Sequence, residues 1–326
     1  MQESRARRMW RVLEPYHAIT YFAPDTRRAT DALGLRGGWM SYFACRAAPL
    51  GPVGPELVTA VFYTFHPSMV ARAIPDAWTH ASPAQLVTTR LGAVDRALHR
   101  LLPYLASPAR RTPPEPPVPS TPDAEASPRT EAEPQGRRSP GEVEAWVKRA
   151  AEVARRAADL APTAGRPMAA ANAALEWADE PHLVLWQAAT ILRESRGDGH
   201  VSALVNAGLS PCQACLTISA TGGPSKEVFQ LNRRWSDDEW TEAAEDLRTR
   251  GLLDADGALT ERGHAVRQQV EDTTDRLAEQ GWKALGHDKA EELDRLVRPI
   301  SSKLMTSGFI PPDNPMALRW PTSELT

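Results

Sequence analysis

The sequence predicts a mainly α-helical protein whose C-terminal part carries one short β-hairpin and whose N-terminal half is helical. Three features between Trp235 and Leu277 carry the prediction. Ser236-Asp237-Asp238-Glu239 is a capping box, with Ser as N-cap and Glu at N3. Trp240, Ala243, Ala244 and Leu247 follow at i, i+3, i+4, i+7, which is one apolar helix face, and Gly251 is a natural stop. Leu252-Leu253 and Ala258-Leu259 flank Asp256-Gly257, a tight-hairpin signal, and Thr260 opens a further helix with Val266, Val270 and Leu277 along it. Helix, short hairpin and helix in this order make the second half of a winged helix.

Taken in order, Arg5 to Arg11 begins a helix, and Glu14-Pro15 marks a fresh start because Pro is tolerated in a first turn. Pro24-Asp25 breaks it, and Thr26 to Leu33 fits a short helix. Trp39 to Ala47 is rich in aromatics, and Glu56 to Phe65 is apolar and of helix length. Ser82-Pro83-Ala84-Gln85 is a second capping box, opening a helix with Leu86, Val94, Leu98 and Leu101 inward. Ser107 to Pro140 is crowded with Pro, Glu, Arg, Ser and Thr and has almost nothing to bury, so it reads as a disordered linker. Ser139 repeats the capping pattern. His182 to Arg193 is apolar on nearly all sides and is expected to be buried. Arg196-Gly-Asp-Gly199 reads as a turn, Ser210-Pro-Cys-Gln213 as another cap, and Gly281 as an interruption. The domains expected are a helical unit over 1–106, the linker over 107–140, a winged-helix-like unit with C-terminal helices over 141–310, and a loose tail over 311–326.

Two resemblances enter here. LRTRGLLDADGALTERGHAVRQQVEDTTDRLAEQGWKALGHDKAEELDRLVRPISSKL, within Ser236 to Leu304, resembles the end of a MarR-type winged-helix regulator. That implies a recognition helix, a wing and long dimerisation helices. GGWMSYFACRAAPLGPV, FYTFHPSMVARAIPDAW and EPHLVLWQAATILRESRGDGHVSAL are similar to an actinobacterial family described as helix-turn-helix, over most of the chain. The implied function is a ligand-responsive, DNA-binding regulator of the cytoplasm, with an unidentified small molecule as effector.

The residues depart from that pattern. The helix before the wing carries Asp237, Asp238 and Glu239 in its first turn, whereas DNA affinity comes largely from cations that displace counterions. Those acids also suit capping and the helix dipole. The hairpin tip has no basic residue, and Arg248 and Arg250, the DNA-binding candidates, lie at the far end of the helix. With a net charge of −3 over 326 residues, nothing pulls the whole chain toward nucleic acid. The alternatives are a small-molecule- or protein-binding protein without DNA, or an enzyme on the same scaffold. Leu293, Leu296, Val297, Ile300 and Leu304 make an apolar face that suggests a homodimer.

The halves also echo each other. Glu14-Pro15-Tyr16-His17 is like Glu180-Pro181-His182, Arg36-Gly37-Gly38 like Arg196-Gly197-Asp198, and Trp78 like Trp240. The N-terminal half is therefore a candidate degenerate repeat, with a cleft between the halves; two Ala-rich helical segments would also match in this way by chance.

Within such a cleft the ligand-pocket candidates are His17, Tyr21, Tyr42, Arg46, Tyr63 and His66 from the first half and His182, Trp186, Arg193 and His200 from the second. His182, Trp186, Thr190 and Arg193 form one polar stripe on an otherwise apolar helix, and buried polar groups must find partners. The bland alternative is a structural network with Arg193 paired to Asp198 or Glu180. No phosphate-binding, dinucleotide or nucleophile-elbow motif occurs, and no H-x-x-x-H or H-E-x-x-H spacing, so neither cofactor nor metal is expected. Cys212 and Cys215, a lone C-x-x-C among three cysteines, read as packed thiols in a reducing compartment. No apolar run is long enough for a bilayer, and no membrane partner is expected.

Overall fold

The computed structural model describes residues 3–102 and 140–311, with 314, 316, 318 and 320. The expected linker lies outside the described residues up to 139, as does the Ser139 cap. Seven helices precede that segment: α1 (Arg5–Phe22), α2 (Pro24–Ala32), α3 (Gly37–Ala47), α4 (Pro55–Val61), α5 (Pro67–Ala71), α6 (Ala77–His80) and α7 (Pro83–Leu101). Eight follow it: α8 (Pro140–Asp159), α9 (Pro167–Ala173), α10 (Pro181–Asn206), α11 (Pro211–Ser219), α12 (Lys226–Arg233), α13 (Asp237–Thr249), α14 (Glu261–Leu285) and α15 (His287–Thr306). The chain punctuates itself with proline, which opens α2, α4, α7, α9, α10 and α11 where its missing N–H is harmless. The capping boxes at Ser82, Ser210 and Ser236 form as the sequence predicts.

The mainly helical prediction holds, but the wing does not. Among the described residues there is no β-strand, only an isolated antiparallel bridge between Leu253 and Leu259. Asp256-Gly257 does turn, with Gly257 at φ +85°. Asp254 N–H reaches Ala258 C=O at 2.9 Å, and the Asp254 side chain accepts Ala258 N–H at 2.8 Å. The turn is thus closed by a side chain, and the flanking leucines enter the core with α13 and α14 instead of extending a ladder.

Three predicted breaks are absent. α1 runs without interruption past Pro15, and α10 continues through Arg196-Gly-Asp-Gly199 for 26 residues. Gly199 is there for close packing: a Cβ on it would lie 3.3 Å from Leu277 Cβ on α14. Gly281 likewise sits inside α14, where a Cβ would lie 3.2 Å from Ala161 Cα. In each case tertiary packing overrides a local breaker signal. The two halves differ in local structure at the positions whose sequences echo each other. Gly37 has φ +82° at a helix start, whereas Gly197 is mid-helix; Trp78 sits on the four-residue α6 and Trp240 on the 13-residue α13.

α10 is the hub. α1, α8, α9 and α14 pack round it, and buried residues of α1, α7, α8, α10, α14 and α15 share one core. A second core lies among α3 to α7, and a third among the end of α10 and α11 to α14. The apolar face of α15 is covered within the chain: Leu293, Val297, Ile300 and Leu304 are buried, with α1 and α8 against this helix. In the tail, Asn314, Leu318 and Trp320 are buried.

Candidate functional site

Polar side chains from α1, α3, α7 and α10 meet in a cavity of about 180 Å³. α1 contributes His17 and Tyr21, α3 contributes Tyr42, Cys45 and Arg46, α7 contributes Arg90, and α10 contributes Trp186, Thr190 and Glu194. A larger, more open cavity of about 400 Å³ shares Tyr42, Arg46 and Glu194 and continues past Tyr63, Arg193, Arg196, Asp198, His200 and Arg233. Five of the ten predicted pocket residues therefore line the first cavity and five the second, with Tyr42 and Arg46 in both. His66 and His182 line neither. His66 binds Glu239 at 2.8 Å beside Trp235, and His182 turns to Asp95 on α7 at 2.7 Å.

The wall is held by a buried ion network. The Glu194 carboxylate accepts Arg46 Nε and Nη2, both at 2.9 Å, and Arg193 Nη1 at 2.8 Å. Arg193 also reaches Glu14 at 3.4 Å, and Trp10 Nε1 donates to Glu14 at 2.9 Å. Arg193 is thus paired to Glu194 and Glu14, and not to Asp198 or Glu180. Burial alone would raise the Glu194 carboxyl, but Arg193 and Arg46 outweigh it and hold the group well below the usual carboxylate range. At Glu14 burial wins over Arg193, and its pKa is raised.

His17 is fixed and uncharged. Thr190 spends its hydroxyl proton on Trp186 C=O (2.8 Å), so it accepts His17 Nδ1–H at 3.0 Å. Nε2 is then left to accept from the Tyr21 hydroxyl at 3.0 Å. Burial, and then Arg193, hold the imidazole well below its ordinary pKa. Trp186 lies parallel to the His17 ring with centroids 6.5 Å apart, and its Nε1 donates to His17 C=O.

Arg90 is the residue that the sequence reading missed. It is 5% exposed, it lies 5.4 Å from the Trp186 ring centroid, and it donates to two neutral acceptors, Cys45 C=O at 3.0 Å and Asn172 Oδ1 at 2.9 Å. Among the described residues no carboxylate pairs with it and its Nε has no partner. The buried Thr26 hydroxyl, also on the cavity wall, has none either. The signal was available: Leu86, Arg90, Val94 and Leu98 recur at i+4, which puts a guanidinium on the apolar face of α7.

His200, on the larger cavity, donates Nδ1–H to Thr274 at 2.9 Å, since Thr274 already donates to Val270 C=O. Burial, opposed by Glu271, depresses its pKa from 6.5 to about 4. The native state thus binds the proton more weakly than the unfolded chain. The stability this represents is complete above pH 6.5 and lost as pH falls through 4. Urea melts should show wild type losing stability over that window relative to His200→Gln, by on the order of 3 kcal/mol at the acid limit. Parallel pH profiles for the two proteins would contradict this.

Cys212 and Cys215 are free, buried on α11 and pushed up to about 12 by burial, as packed thiols should be. Of the DNA-binding candidates, Arg248 is exposed and its Nε donates to Asp254 C=O at 3.2 Å, and Arg250 Nη1 donates to Gly208 C=O at 2.9 Å. The α13 acids are also occupied, Asp237 by Lys226 and Gln230, and Glu239 by Ser236 and His66. α12 and α13 are joined by Arg234, Trp235 and Ser236, with Arg234 in the left-handed region at φ +65°. α11 packs against both α12 and α13, so the three helices form one small unit.

Fold and site together define a mainly helical protein with a cavity edged by charged and polar side chains. Residues 6–113 and 120–311 match a helix-turn-helix family, and the chain belongs to it. No curated protein and no solved structure matches the chain. Among the described residues no single helix is long and apolar enough to cross a membrane.

Proposed function

We propose that this helix-turn-helix protein is a small-molecule sensor whose ligand carries a compact anion, a carboxylate or its equivalent, set against Arg90. One observation carries the reading: a buried guanidinium on a cavity wall whose hydrogen bonds all go to neutral groups. A buried cation without a counter-charge is costly, and an anionic ligand supplies the missing charge with matching planar geometry. The roughly 180 Å³ of space suits a benzene-sized ring with one small polar group, since a 150 Å³ cavity holds about a benzene. Trp186 and Tyr21 give it flat walls, while Thr26 and neutral His17 border it with further polar groups. Calorimetric titration with benzoate and short aliphatic carboxylates tests this. Saturable binding that the neutral amide of the same acid fails to reproduce supports it; equal binding of acid and amide sinks it.

A second reading keeps DNA as the partner that the sensor controls, and it follows the MarR-like resemblance in function. Family membership and the α12–turn–α13 unit favour it. The acids of α13 argue that any duplex contact avoids the first turn of that helix. Duplex binding measured across salt concentrations separates the cases: steep, saturable salt dependence supports DNA, and its absence leaves a sensor that acts through protein contacts.

A further inference from the structure

A second polar cluster lies away from both cavities, where α7 meets the start of α10. Asp95 and His99 stand at i, i+4 on α7, so they share one face. His182 is in the first turn of α10. His182 Nε2 lies 2.7 Å from Asp95 Oδ1, and His99 Nδ1 lies 3.2 Å from the same oxygen. One donor atom from each of the three residues falls within 4.8 Å of the others. The two imidazoles meet edge to face with centroids 4.8 Å apart.

We infer that Asp95, His99 and His182 form a binding site for a divalent first-row transition-metal ion, with zinc as the reference case. Donors about 2.0–2.2 Å from zinc stand about 3–3.5 Å from each other. The Asp95–His99 and Asp95–His182 separations are at or just below that range, and side-chain rotation that closes the donors, all within 4.8 Å of one another, onto one ion completes the set. Two nitrogens and one carboxylate oxygen are a donor set that zinc accepts readily, with a fourth position left to water. The supports are rigid. Val94, Ala97 and Leu98 anchor α7 in the main core, Leu183 and Leu185 anchor α10, and Tyr16 OH donates to His182 C=O at 3.0 Å. Access is open as well, because the side chains of Asp95 and His99 are 27% and 25% exposed. His99 Nδ1 also lies 2.9 Å from the Asp95 C=O, a contact that a bound ion would replace. The site ties the end of α7 to the start of α10, and α7 carries Arg90 a turn and a half away.

Cobalt(II) titration of tag-free protein, followed by visible ligand-field absorption and then zinc displacement, tests the site. The expected result is saturation at a single ion per chain and reversal by zinc. Affinity should fall at least about 10-fold in His99→Gln and stay unchanged in His264→Gln, an exposed histidine outside the cluster. Asp95→Asn, which keeps an acceptor for His182, should weaken the ion to a similar degree while the metal-free melting temperature stays near that of wild type. Absence of saturable absorption, or equal affinity in wild type, His99→Gln and Asp95→Asn, would overturn the assignment.

Discussion

Glu194→Ala lowers stability by about 3–5 kcal/mol, the range for stripping one partner from a buried charged pair. The carboxylate is 1% exposed and serves Arg46 and Arg193 at once, so its loss leaves two largely buried guanidinium groups, Arg193 with the 3.4 Å contact to Glu14 and Arg46 with the neutral Tyr42 hydroxyl at 2.9 Å. Arg46 also sits over Phe62, 4.2 Å from the ring centroid. Glu194→Gln should fall between wild type and Ala, because the amide keeps an acceptor but not the charge. The pH dependence has a definite sign. With its folded pKa depressed, Glu194 contributes stability that is present above the unfolded value of 4.5 and lost only far into acid. Urea melts at pH 7 measure the loss; a change below about 1 kcal/mol would mean that the network is solvated and the cavity wall is soft.

Arg90→Met is expected to do the opposite, abolishing function with little effect on folding. The substitution relieves the desolvation of an uncompensated cation but takes donors from Cys45 C=O and Asn172 Oδ1. These terms offset to within about 2 kcal/mol. Binding of a carboxylate probe loses a buried charge-assisted pair, which costs about 2–5 kcal/mol, or at least about 30-fold in affinity. Titration with benzoate, paired with thermal melts of the ligand-free proteins, reads both quantities. A fall in stability above about 3 kcal/mol with benzoate affinity unchanged in the folded fraction would return Arg90 to a structural role.

Much of this was legible in the sequence, because local chemistry decided it. Ser82, Ser210 and Ser236 announce their helices through caps, and the apolar run after His182 announces a buried helix. The polar stripe on that helix was seen too, but one register off. The residues that reach the smaller cavity are Trp186, Thr190 and Glu194, while Arg193 faces the larger one and His182 turns away. Periodicity places residues on a face but does not say where neighbouring helices leave a gap. Pro15, Gly199 and Gly281 misled for a related reason. Each is a breaker by propensity that the burial around it overrules: Pro15 is buried, Gly199 packs against Leu277 of α14, and Gly281 against Leu160 and Ala161 in the loop after α8. The expected wing failed because an Asp-Gly turn fixes a reversal but not the ladder that would extend it. Glu14 was read as part of a helix start when it is a buried acid in mid-helix.

The length of α10 has a mechanical consequence. Its 26 residues make a rod of about 39 Å at 1.5 Å per residue. Trp186 lies on the cavity wall near one end and Glu194 at the middle, and Ala203 and Leu204 lie in the third core at the other end. Bending such a rod means breaking ladder bonds, so a tilt at Glu194 is delivered to Leu204 with the gain of a lever. The compliance that could absorb the stroke is concentrated at Gly197 and Gly199, each about 1 kcal/mol poorer than alanine at holding a helix. They lie between the cavity wall and the third core, so in the sensor proposed above their softness would set how much of a ligand-driven displacement arrives.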